Sequence, residues 1–458
     1  MTQQQIHANP LETQPISALL LRYSVPTALT LMVNYLYNIV DQIFVGQGVG
    51  IPGMTATNVA FPLMILVNAI SLLLGDGCAA HMSLCLGRRQ QQEADATISH
   101  ALTLIIGSGL CCALICGLFA PQLVWLCGAT DSAYGQAVVY LRAVSLGIPF
   151  QLMCPAFTAI IRADGAPQYT MKCMILGALI NLVLDPIFIF PLQMGVLGAG
   201  IATAIGQTVA GCMCLLYLPK MRTVHIRKED LRPTARRTGR ILALGFPSLL
   251  TQTMTALVQI TMNNLMRQYG ALSIYGSDIA LSVYGMMMKV YQIAHSMFVG
   301  VSSAIQPING FNFGAKHYRR VFDTYRLAVL VAAVISCVWF LIFMIFPRQI
   351  AHLFVSDSQL YLDCAAHVFH IHMMLFFLYG VHMTTASFFQ GIGKPVRSLL
   401  IPLARQGVFL IPLALLLSAS LGLDGALYAV PIADGLVFLL SAALAAGEFR
   451  SWYRKGWL

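Results

Sequence analysis

The chain has 458 residues, of which 58% are hydrophobic and only 10% are charged, with a net charge of +10. A soluble domain carries about a quarter charged residues, so this composition excludes an ordinary soluble enzyme and describes a polytopic membrane protein. In such a chain the basic excess belongs to cytoplasmic loops, so it is no argument for nucleic-acid binding, and no nucleic-acid partner is expected.

The first stretch, "MTQQQIHANPLETQPISALL", is polar. It lacks the basic region and small-residue cleavage site of a signal peptide, so the first span is expected to stay in the mature protein. Apolar stretches long enough to cross a bilayer fall at about 17–45, 53–80, 94–120, 133–160, 167–190, 196–219, 240–268, 279–311, 321–346, 359–390, 397–420 and 425–449. The expected fold is therefore all-α, with about twelve transmembrane helices. Kinks are expected at Pro26, Pro149, Pro155, Pro186 and Pro247, because proline lacks the amide proton that a helix interior uses.

Span 1 carries the first chemical anomaly. On a wheel of about 100° per residue, Thr27, Thr30, Asn34, Tyr37, Asn38 and Asp41 form one polar stripe. A carboxylate in a bilayer costs at least a few kcal/mol, so Asp41 must face the bundle interior or a water-filled cavity. Span 5 places Asn181 and Asp185 four apart, on one face. Pro186 follows, and it would free a backbone carbonyl near position 182. Span 6 adds Thr203 and Gln207, again four apart. All these donors are oxygens and amides, a set that suits a proton or a hard cation rather than zinc or copper. Two carboxylates in one pocket titrate as a pair, which suits proton uptake.

The second half differs. Span 7 repeats the stripe with Gln252, Thr255, Gln259 and Asn263, but without an acid. The counterparts of Asn181 and Asp185 fall near Phe409 and Leu413. Span 8 concentrates Met286, Met287, Tyr291 and His295 in "YGMMMKVYQIAHSMF"; methionine is an adaptable residue of promiscuous sites. With Asn34, Gln207, Gln252, Gln259 and Asn263 these are the candidate substrate-cavity residues. Asp76, in "GDGCAAH", is expected to serve packing or gating. Arg405 and Asp434 are expected to pair across spans 11 and 12 as a structural ion pair. "HVFHIH" presents His367, His370 and His372 with no acid or cysteine to complete a tetrahedral set, so no metal site is expected. The cysteines sit mostly in apolar stretches and read as small buried hydrophobes; Cys127 and Cys364 are the one pair worth testing for a disulfide. No phosphate-binding GxxxxGK[ST] loop occurs, so this chain does not draw on ATP, and no nucleophile–base motif points to an enzyme.

Loop charges assign the sides. Arg88, Arg89, Arg162, Lys316, Arg319, Arg320, Lys394 and Arg397 follow even-numbered spans, and the loop "PKMRTVHIRKEDLRPTARRTGR" carries eight Lys and Arg. Both termini are therefore expected in the cytoplasm. The chain also repeats weakly at half its length. "VPTALTLMVNYLYNIV" aligns with "FPSLLTQTMTALVQIT", and three further segments align in order, at offsets of 221, 227, 228 and 227. Six spans per copy is even, so the copies share one topology, like transporters whose parallel halves rock around a central cavity. The expected organisation is an N-lobe at 1–218, a basic linker at 219–239 and a C-lobe at 240–458.

Taken in order, Pro26, "DQIFVGQG", "GDGCAAHMSLCLGRR", "GAPQ", "NLVLDPIFIF" and "MGVLGAGIATAIGQ" resemble the multidrug and toxic compound extrusion (MATE) family over essentially the whole chain, most of all its DNA-damage-inducible and bacterial multidrug branches. That resemblance implies a monomeric antiporter of the inner membrane that exchanges H⁺ or Na⁺ for amphipathic, often cationic, drugs, with no cofactor. It implies cation coupling at Asp41, Asp185, Asn181 and Thr203, with Tyr37 and Asn38 nearby, a bend in span 1 at Pro26, and a cavity lined by span 8. A lipid-linked-oligosaccharide flippase of the same superfamily is the alternative.

Overall fold

The computed structural model describes residues 14–458 apart from 88–89, 165, 222, 233 and 356–357, and apart from some helix side chains, those of Pro26, Thr30, Asn34, Tyr37, Asn38 and Arg162 among them. The expectations placed on Pro26, Asn34, Tyr37, Asn38, Arg88, Arg89 and Arg162 therefore lie outside the described residues.

Helices dominate because long apolar stretches leave the backbone no polar partner but itself. In chain order they are α1 Ile16–Gly48, α2 Ile51–Gly87, α3 Gln91–Leu118, α4 Ala120–Leu126, α5 Asp131–Ser145, α6 Ile148–Ala163, α7 Pro167–Ile189, α8 Gly195–Tyr217, α9 Ala235–Gly270, α10 Ser277–Gly314, α11 Tyr318–Ile345, α12 Pro347–His352, α13 Gln359–His372, α14 Tyr379–Gly391, α15 Pro395–Leu403, α16 Ile411–Leu421 and α17 Leu423–Arg454. Each expected span coincides with a helix or a helix pair. By length and composition nine helices among the described residues can cross a membrane, or eleven when each of two bent pairs counts as one span. Leu114, Leu118, Leu416 and Leu439 stand exposed on these helices, as side chains facing lipid do. The chain is an integral membrane protein.

Proline acts where its missing N–H falls at a helix end. Span 4 breaks after Ser145 and bends by 56°; Pro149 cannot donate to the carbonyl four residues back, at Ser145. Pro155, Pro186 and Pro247 instead sit inside helices that continue through them. Span 10 bends by 45° with no proline or glycine at the break, which lies in "MMLFFL". There the cause is tertiary: Ser336 Oγ accepts from Gly380 N at 3.0 Å and caps the new helix. Span 11 contains a π-turn at Ala404–Leu410, immediately before Pro412, whose ring would clash with the carbonyl of Val408 in a regular helix.

The helices pack into two compact units. One comprises Met1–Ile39, Met286–Leu353 and Ser358–Leu458; the other comprises Val40–Gly285 and Phe354–Asp357. Helix α1 thus contributes its first part to one unit and its last part, from Val40, to the other. In the first unit, Leu19, Ile305, Phe388, Phe389 and Trp452 belong to one buried cluster. In the second, α2 and α9 pack at backbone contact. A Cβ on Gly77 would lie 2.0 Å from the Ile241 carbonyl oxygen, and one on Gly245 would lie 1.9 Å from that of Leu73. Ser248 Oγ donates to Asp76 Oδ2 at 2.8 Å across the same seam, so Asp76 serves helix packing. Cys127 and Cys364 are both free and buried.

Candidate functional site

The site is assembled by close helix approach. A Cβ on Gly206 of α8 would lie 2.7 Å from the Gly177 carbonyl oxygen of α7, and one on Gly177 would lie 2.8 Å from that of Gly206. Only glycine at both positions lets the two backbones meet. One turn on, this places Asn181 against Thr203. The last turns of α1 come in from the other side: a Cβ on Gly48 would meet Ile189 Cγ2 at 2.2 Å, and the Phe44 and Phe190 rings meet edge to face at 6.2 Å. That contact brings Asp41 alongside Asp185.

Asn181 Nδ2 donates to Asp185 Oδ1 at 3.2 Å and to Thr203 Oγ1 at 3.4 Å. Asp41 stands beside Asp185, close enough for the two carboxyls to interact. Asp185 is wholly buried, Asn181 is 5% exposed and Asp41 is half-buried. Four of the expected coupling residues are therefore together within one compact unit. Beside them, Gln207 Oε1 is buried with no hydrogen-bond partner among the described residues, packed where a Cβ on Gly147 would lie 2.9 Å away.

Gln42 and Thr57, both missed in the sequence, belong to this neighbourhood. Gln42 is buried, and its Oε1 accepts from Thr57 Oγ1 at 3.0 Å. It follows Asp41 in the chain, but it falls off the polar stripe, so helical periodicity passes over it. A third missed residue, Asn58 of α2, captures two of the candidate cavity residues. Asn263 Oδ1 accepts from Gln259 Nε2 at 3.2 Å and from Asn58 Nδ2 at 3.4 Å, and Asn58 also donates to the Leu281 carbonyl at 3.2 Å. Gln259 and Asn263 form a buried polar knot, whereas Gln252 is half-buried. Met286 and Met287 are buried. Tyr291 stacks on His295 at 5.9 Å, and His295 Nδ1 lies 3.1 Å from Tyr379 Oη.

Among the remaining expectations, Arg405 Nε does donate to Asp434 Oδ1, at 2.6 Å. His367 pairs with Asp424 at 2.6 Å, and His370 Nε2 faces the Met344 carbonyl at 3.0 Å. The histidine cluster is thus divided among separate partners, and the described residues contain no grouping of three metal-ligating side chains.

Comparison with known proteins follows the same lines. The sequence model of the MatE family matches residues 26–187 and 247–416, two matches that start 221 residues apart. The multidrug export protein MepA of Staphylococcus haemolyticus (strain JCSC1435) is 24% identical over 431 residues, covering 94% of this chain and 93% of that protein. MepA of Staphylococcus aureus (strain MRSA252) is 23% identical over 429 residues, covering 93% of each. Among solved structures, the MATE multidrug transporter DinF-BH, solved in complex with a ligand, superposes with a TM-score of 0.76 at 33% identity, covering 99% of this chain and 98% of that one. An inward-facing MATE family transporter of the MOP superfamily superposes with a TM-score of 0.84 at 24% identity, covering 93% and 99%.

Proposed function

The chain belongs to the MatE family, whose members are transporters rather than enzymes and need no cofactor, and from that premise we propose that it is a multidrug efflux antiporter. It exchanges H⁺ or Na⁺ for amphipathic and cationic organic compounds by alternating access. The observation that carries this reading is Asp41 beside the buried Asp185, with Asn181 and Thr203, an all-oxygen-and-amide site in helices that otherwise offer lipid-compatible side chains. Ionisable groups at such depth mark ion or substrate pathways. The names of the multidrug relatives support the substrate class. A site with two acidic side chains favours cation coupling over the flippase alternative.

In this reading the ion and the drug compete for one structural state. A proton or Na⁺ at Asp41 and Asp185 removes the reason for the pair to hold its present geometry. Asp41 lies on α1, the helix that contributes to both compact units, so a change there reaches both. A bend at Pro26 would then release the drug. Coupling resides in the first sequence repeat, residues 1–218, joined by the linker 219–239 to the repeat at 240–458. The protein works as a monomer in the plasma membrane with both termini in the cytoplasm.

The test is drug efflux from vesicles with pH and Na⁺ gradients imposed separately, comparing wild type with Asp185→Asn. Wild type should respond to one of the two gradients, and Asp185→Asn should abolish the gradient-driven component at unchanged expression. Gradient-driven efflux that survives Asp185→Asn refutes the coupling site.

A further inference from the structure

Arg405 and Asp434 take no part in the site above. They put a full ion pair inside the membrane helices of the other unit, with side chains 15% and 5% exposed. A buried ion pair is often no more stable than an apolar pair of the same volume, so stability alone does not account for it. Arg405 also stands on the π-turn at Ala404–Leu410, and π-turns are costly features that concentrate at functional sites.

A guanidinium has five N–H donors in a planar fork shaped for a carboxylate. Among the described residues Arg405 donates through Nε, to Asp434. The walls are aromatic. Tyr379 lies under the guanidinium at 5.3 Å, and Tyr291 meets Tyr379 edge to face at 5.6 Å. His382 stands edge-on to Tyr379 at 4.7 Å. It is only 2% exposed, yet its Nδ1 has no hydrogen-bond partner among the described residues. The cluster thus holds a planar donor fork, aromatic faces and, among the described residues, an unsatisfied imidazole nitrogen in one place.

We infer that this cluster is a second ligand site, for the carboxylate of a planar aromatic anion, taken up together with one proton. The ligand carboxylate replaces Asp434 on the guanidinium, and Asp434 takes a proton from water as it lets go. The exchange trades one neutral assembly, arginine with aspartate, for another, arginine with the ligand anion beside a neutral carboxylic acid. No net charge enters the low-dielectric interior, where an unpaired charge is costly. The titratable groups around the pair are Tyr291 and His295 from α10, His372 from α13, and Tyr379 and His382 from α14, with Tyr35 of α1 beside Tyr379. Asp434 is the group that the ligand displaces from the guanidinium, so it is the one that takes the proton.

The inference goes beyond the efflux reading and is tested by binding alone. The full-length chain in lipid nanodiscs is titrated with 2-naphthoate and with its neutral isostere 2-naphthamide, and proton uptake is followed with a pH indicator. Wild type should prefer the carboxylate and take up one proton per naphthoate bound. Arg405→Lys keeps the charge and loses the fork, and should weaken naphthoate about tenfold while leaving the amide unchanged, the scale of one lost charge-assisted hydrogen bond. Arg405→Gln with Asp434→Asn, which strands neither charge, should abolish both the preference and the proton uptake. Equal binding of the two probes by wild type overturns the inference, as does a preference that survives in both variants. A chain that binds naphthoate in this way but transports no drug refutes the efflux reading alone.

Discussion

One carboxamide group, Asn181 Nδ2, holds both Asp185 Oδ1, at 3.2 Å, and Thr203 Oγ1, at 3.4 Å. It joins α7 to α8 at the proposed coupling site, beside the acid that Asp41 approaches. Asn181→Leu keeps the volume and removes the donor. A hydrogen bond to a charged group contributes about 1.5–3 kcal/mol, so the coupling ion should bind at least tenfold more weakly. The ion concentration that half-maximally drives efflux measures this; an unchanged value removes Asn181 from the site.

The glycine contact between α7 and α8 sets that geometry. Gly206→Ala would place a methyl 2.7 Å from the Gly177 carbonyl oxygen and 3.1 Å from Asn181 Cβ. Backbone cannot yield as a flexible side chain does, so overpacking should cost about 1–3 kcal/mol and lower efflux as well. Gly135→Ala, with nothing within 4 Å of the new Cβ, should change neither. Thermal unfolding and efflux of the two variants give the comparison.

The linker is strapped down by two acids. Asp164 accepts from Tyr217 Oη at 2.9 Å, from Thr223 N at 2.8 Å and from Thr223 Oγ1 at 2.6 Å. Asp95 accepts from His225 N at 3.0 Å and pairs with Arg227 at 3.0 Å. Asp164→Ala releases the first clasp. Loss of even one bond to a buried carboxylate is worth roughly tenfold in local opening. Trypsin should therefore cut after Arg227 or Lys228 about ten times faster than in wild type under native conditions, as read by the appearance of two half-length fragments.

Cys127, in the connection between α4 and α5, offers a pH signature. Burial, helped by the neighbouring Cys116 thiol, pushes its thiol up to about 12. At pH 7 about one molecule in 10⁵ carries the reactive thiolate. Iodoacetamide labelling at Cys127 should be negligible at pH 7 and rise about tenfold per pH unit without levelling below pH 11. The native state holds this proton more tightly than the unfolded chain, so the corresponding stability is intact below the ordinary thiol range and lost as pH rises towards 12. Labelling that levels off near pH 9 would show that the thiol is solvated.

Much of this protein is legible in one dimension. Hydrophobic length alone places the helices, because a bilayer leaves the backbone no other way to satisfy its polar groups. The four-residue spacings of Asn181 to Asp185 and of Thr203 to Gln207 put each pair on one helix face, and the carboxylates announce themselves by their cost in hydrocarbon. Relations between distant segments are not periodic, and they were decided in three dimensions. Nothing local says that Gly177 must face Gly206, or that the end of α1 must bring Asp41 to Asp185 rather than to lipid. Gln259 and Asn263 carry the same polar signal as the coupling residues, yet Asn58 ties them into a buried knot. The bend of span 10 has no proline or glycine at its break, because its cap, Ser336, comes from another helix. The repeat divides the chain near 219–239, whereas helix packing divides it within α1 and α10. Residue spacing along a helix determines which face a side chain occupies; only backbone-to-backbone packing determines what that face meets.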